Sequence, residues 1–113
     1  MLACKDMILL IVGDGRQKQN LQELAQQLGV QEQVRFLGYR TDVKELLKAA
    51  DCFVFPSYQE GLPGALMEAM AAGLPCIASK IRGNIDALTD SEFLFDPRDC
   101  DRLTKLMAQM LEP

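Results

Sequence analysis

The chain has 113 residues, of which 49% are hydrophobic and 25% charged, the size and composition of one ordinary globular domain. A formal net charge of −4 and a pI near 4.7 argue against a general nucleic-acid binder or a partner for anionic membranes. There is no histidine, which removes the commonest general base and metal ligand, and every Ser-His or Cys-His nucleophile pair with them.

In chain order, residues 7–12 form a near-continuous apolar run that predicts a strand buried on both faces. Gly13-Asp14-Gly15 predicts the turn after it. Leu21, Leu24, Ala25 and Leu28 then recur at helical spacing, up to a stop at Gly29. Residues 34–37 read as a short strand ended by Gly38. Val43, Leu46, Leu47 and Ala50 mark a second helix, with Thr41 or Asp42 as its N-cap. Residues 52–55 form a strand closed by Pro56. A helix follows from Pro63, where a proline fits the first helical position, and Gly73 with Pro75 ends it. The remaining expectations are a strand over 75–78, a helical turn over 84–88 and a strand over 92–95. A last helix carries the stripe Leu103, Leu106, Met107, Met110 and Leu111 behind an Asp99 cap.

Five strands alternating with helices predict an α/β fold, a doubly wound and mostly parallel sheet. Ligands of such sheets bind beyond the carboxyl ends of the strands. No apolar run approaches membrane-spanning length, and the first seven residues do not resemble a signal peptide. Cys4, Cys52, Cys76 and Cys100 are scattered, which suits reduced thiols in a cytoplasmic protein.

Two segments carry candidate chemistry. Between Glu60 and Lys80 lie nineteen residues among which Glu68 is the one charged side chain. A lone carboxylate in such apolar surroundings is costly unless something stabilises it. Glu60 falls in the loop ahead of the predicted helix and Glu68 about five residues into it, some 7 Å along the axis at roughly 1.5 Å per residue. The helix start between them offers free N–H groups and a positive dipole end. Two carboxylates flanking such a site suit a nucleotide-sugar, with hydroxyls at both ends and phosphate between. The plain alternative is a surface Glu68 on a mostly buried helix. The second segment, Gly13-Asp14-Gly15, resembles the opening of a dinucleotide fingerprint, but Lys18 stands where the third glycine would be. A tight turn and a backbone contact to phosphate are equal readings of it.

The ordered set Val12-Gly13-Asp14-Gly15, Val34-Arg35-Phe36-Leu37-Gly38, Ala50-Asp51-Cys52-Phe53-Val54-Phe55-Pro56-Ser57, Glu60-Gly61-Leu62-Pro63 and Glu68 through Pro75 resembles a known family. It is similar to the C-terminal domain of retaining GT-B glycosyltransferases of family 4. Arg82-Gly83-Asn84-Ile85-Asp86 looks like the branch that builds capsule or exopolysaccharide. The resemblance implies that residues 1–113 form one partial nucleotide-sugar-binding domain. Glu60 would be the catalytic residue, bonding hydroxyls of the donor sugar, and Glu68 would bond the ribose hydroxyls. Backbone groups of Gly61, Leu62, Pro63, Gly64 and Ala65 would line the donor pocket, Gly13 would contribute to it, and Tyr39, Arg40 and Asp42 would approach the base. No cofactor and no metal are implied, the nucleotide-sugar being a substrate.

Set against the family pattern, the opening strand of the domain and its basic turn are missing, as is the N-terminal acceptor-binding domain. The expected partners are therefore a nucleotide-sugar and that absent domain, through which any membrane association would run. Residues 7–12 would pair directly with 52–55 or share a strand with a second chain, and the chain alone would be inactive. The competing reading is a stand-alone nucleotide-binding or regulatory α/β module. A phospho-receiver domain is disfavoured because the 52–55 strand runs into Pro56-Ser57 with no acceptor aspartate.

Overall fold

Residues 7–13, 15–58, 63–88 and 91–110 are described by a computed structural model, which divides into two units, Leu2–Val43 and Lys44–Pro113.

In the first unit, β1 (Leu9–Val12) is joined to β2 (Val34–Gly38) through α1 (Lys18–Gln27) and a 3₁₀ turn, Gln31–Gln33. The two strands are parallel, and a parallel pair requires such a crossover. Leu9 lies opposite Val34 and Ile11 opposite Phe36, after which the register shifts and Val12 faces Gly38. The Gly13 N–H closes the ladder on the Gly38 carbonyl at 2.7 Å. Gly29, at φ +72°, ends α1 in the predicted place. Its N–H reaches the Gln26 carbonyl and that of Val30 the Ala25 carbonyl, the two bonds of a Schellman cap.

The apolar run is not buried on both faces as predicted. Leu9, Leu10 and Val12 are 39, 42 and 43% exposed, whereas Met7 and Ala25 are buried. Successive side chains of a strand point to opposite faces, so exposure of both Leu9 and Leu10 means neither face of β1 is fully covered. The run records a need for burial that the described residues do not meet.

The second unit begins within α2 (Val43–Ala49) and continues as β3 (Phe53–Phe55), α3 (Gly64–Ala71), β4 (Cys76–Ser79), α4 (Arg82–Ala87), a 3₁₀ turn at Ser91–Phe93, β5 (Leu94–Phe95) and α5 (Cys100–Met110). Its three strands are parallel in the order β3-β4-β5. The central β4 is buried along its whole length. Ile77 of β4, Phe95 of β5 and Leu106 of α5 make the core, with Val54, Leu103, Met107 and Met110 packed around them. The predicted α5 stripe through Met110 is thus the face that meets the sheet, while Leu111 lies outside the described residues. Asp99 caps α5 as expected: its carboxylate accepts the Arg102 N–H at 3.0 Å.

The predicted strand over 92–95 shrinks to two residues because Ser91–Phe93 coil into the 3₁₀ turn. The ladders of the described residues are β1–β2 in the first unit and β3–β4–β5 in the second. Cys52, Cys76 and Cys100 carry free thiols. No helix among the described residues is long and apolar enough to cross a membrane.

Candidate functional site

The segment singled out by its two glutamates begins where β3 ends. Glu60, Gly61 and Leu62 lie outside the described residues, and the structure resumes at Pro63. Pro63 is the N-cap of α3 and not its first helical residue: its ψ of 74° keeps it out of the helix, while its carbonyl accepts the Met67 N–H at 3.0 Å. Among the described residues no side chain caps this end, and the first turn has no acidic residue. The first N–H groups of α3, from Gly64 and Ala65 onward, have no intrahelical acceptor, as at any helix start.

Glu68 is the fifth residue of α3, as the spacing predicts, but it is exposed. Leu66 and Ala69, at 0% exposure, take the buried face. The desolvation cost inferred from sequence therefore does not arise, because the helix turns its carboxylate away from its apolar neighbours. Gly73, at φ +82°, ends α3: its N–H bonds the Met70 carbonyl, and that of Leu74 bonds Ala69.

Tyr39, Arg40 and Asp42 belong to the first unit, just beyond β2. Tyr39 is 77% exposed. Arg40 donates from Nε to Asp42 Oδ1 at 2.8 Å and from Nη2 to Oδ2 at 2.6 Å, a two-pronged pair. That hydrogen bonding holds the Asp42 carboxyl below the usual aspartate range and raises the guanidinium further. Two residues expected to meet the nucleotide base are thus engaged with each other.

Gly13 has φ +109°, a conformation that favours glycine, and it borders a pocket of about 290 Å³. Ile11, Val12, Lys18, Leu21 and Phe36 also line this pocket, which opens at the carboxyl end of β1 where α1 begins.

Sequence reasoning passed over a buried polar pair in the second unit. Ser79, the last residue of β4, and Asn84, in α4, are both 0% exposed. Asn84 Nδ2 donates to the Ser79 carbonyl at 3.0 Å and to Ser79 Oγ at 3.2 Å. The Ser79 hydroxyl donates in turn to the Ser57 carbonyl, with the Phe55 carbonyl a longer acceptor at 3.4 Å. Asn84 Oδ1 has no partner among the described residues. The available signal was a serine closing an otherwise apolar strand, followed five residues later by an asparagine.

Residues 3–113 match the sequence pattern of the family described as glycosyl transferases group 1. A UDP-Gal:alpha-D-GlcNAc-diphosphoundecaprenol alpha-1,3-galactosyltransferase of Escherichia coli is 37% identical over 111 residues, covering 95% of this chain and 28% of that protein. The lipopolysaccharide glucosyltransferase WaaG of Escherichia coli K12 is 32% identical over 107 residues, covering 92% and 28%. Among solved structures, Anabaena Alr3699/HepE in complex with UDP-glucose superposes with a TM-score of 0.90 at 27% identity, covering 96% of this chain and 32% of that one. The chain spans about three tenths of the length of these relatives.

Proposed function

The chain belongs to the glycosyl transferases group 1 family, and we propose that it supplies the donor-binding part of an enzyme that transfers a sugar from a nucleotide-sugar to a glycan or lipid-linked glycan with retention of configuration. The observation that carries this reading is the helix start of α3 after β3, with no side-chain cap among the described residues and with Glu68 exposed one turn into the helix.

The N–H groups at Gly64 and Ala65 receive the donor diphosphate, which the helix dipole favours. Glu68 accepts hydrogen bonds from the ribose hydroxyls, and Glu60 from the sugar hydroxyls, where it strengthens its hold as charge develops during transfer. Leu66 and Ala69 serve by anchoring the opposite face of α3. A uridine diphosphate sugar is the donor class favoured, since UDP-glucose is bound in the Anabaena structure and UDP-Gal stands in the name of the galactosyltransferase. No metal enters this reading.

Titrating the isotopically labelled chain with UDP-glucose tests it: the amide signals of residues 64–68 should shift progressively with donor. If those signals stay fixed while others move, the donor site is elsewhere. Retention is read from the anomeric signal of the product formed by an enzyme carrying this chain.

A further inference from the structure

We draw no further inference here: the strongest candidate, the exposed apolar surface of the first unit that carries Leu9, Leu10 and Val12 on β1 with Leu21 and Leu24 on α1, supports no partner, because nothing in the structure shows what covers it.

Discussion

Arg40 holds both carboxylate oxygens of Asp42, two residues along the chain, at 2.8 and 2.6 Å. The pair is partly exposed, 37 and 41% at the two side chains, and surface pairs of this kind add little to stability because water and salt screen them. Its effect is on availability: a guanidinium already forked onto a carboxylate has fewer donors left for a nucleotide.

The first prediction follows from this pair. Hydrogen bonding to Arg40 lowers the Asp42 pKa, so the folded carboxylate stays ionised below the usual aspartate value. Its small stabilising contribution is present above the unfolded value and is lost as pH falls through the folded one. In a carboxyl-carbon NMR titration Asp42 should have its midpoint below that of an unpaired aspartate. Arg40→Gln should move the midpoint upward, and a midpoint indifferent to that change would mean the pair does not persist in solution.

Thiol chemistry provides the second. Burial, then the neighbouring Cys76 and Asp51, pushes the Cys52 thiol up to about 11, and burial raises Cys76 as well. Cys100 is exposed. Since the thiolate is the nucleophile, alkylation of the folded chain near neutral pH should mark Cys100 ahead of Cys52 and Cys76, with the difference vanishing in denaturant. The folded thiols stay protonated after those of the unfolded chain have ionised. Stability should therefore decline as pH rises from the ordinary thiol range toward about 11. Peptide mass spectrometry after timed alkylation gives the order, and denaturant melts across that window give the slope.

A third prediction concerns the core. Leu106 is 1% exposed and joins α5 to Ile77 of β4 and Phe95 of β5. Leu106→Ala should destabilise the second unit by about 2–5 kcal/mol, the lost transfer energy plus a cavity. That is a large share of the stability of a small domain. A shift of the denaturation midpoint equivalent to less than about 1 kcal/mol would show that α5 packs more loosely than its stripe implies.

The fold was legible wherever local chemistry decides it. The glycine stops at Gly29 and Gly73, the Asp99 cap and the α5 stripe each act within a turn or two, and each lies where the sequence places it. Burial was less legible, because it depends on what other segments bring. The 7–12 run reads as doubly buried yet Leu9 and Leu10 are exposed, and of the two readings of Glu68, stabilised in apolar surroundings or set on the surface, the helix takes the exposed placement. The Ser79–Asn84 pair left only a faint signal, a serine closing an apolar strand, and its link to Ser57, 22 residues from Ser79, left none in the local pattern. The pairing of Glu60 with Glu68 was legible from the apolar run between them, and the family resemblance supplied the role it implies for each.

The fourth prediction separates function from fold at Glu68. An exposed helical glutamate whose buried neighbours are Leu66 and Ala69 can be changed with little effect on folding. Glu68→Gln should leave stability within about 0.5 kcal/mol. Donor affinity should fall about ten- to a hundredfold or more, since a hydrogen bond to a charged group contributes roughly 1.5–3 kcal/mol. Glu60→Gln, in an enzyme carrying this chain, should act mainly on turnover, because it meets the sugar where charge develops. Equal donor affinity for parent and Glu68→Gln would make that carboxylate a solvating group and no more.

The last prediction is that the 113 residues by themselves bind donor weakly and transfer no sugar. Transfer needs an acceptor oxygen held against the anomeric carbon, and positioning of this kind accounts for roughly 7–11 kcal/mol of a barrier. The relatives have more than twice this chain's length beyond the part it matches, which is room for an acceptor site that these residues need not contain. The departing diphosphate also needs positive groups aimed at it. Within the described residues Arg40 is already turned onto Asp42, and α3 offers a helix start with a carboxylate one turn away. A partial dipole charge beside a full negative one neutralises a diphosphate poorly. Donor affinity should therefore be on the order of millimolar, about 4 kcal/mol, or weaker. Calorimetry with uridine, guanosine and adenosine diphosphate sugars measures the affinity, and a radiolabelled assay with glycan and lipid-linked acceptors measures transfer. Turnover by the purified chain would mean that acceptor positioning and diphosphate stabilisation both reside within these residues.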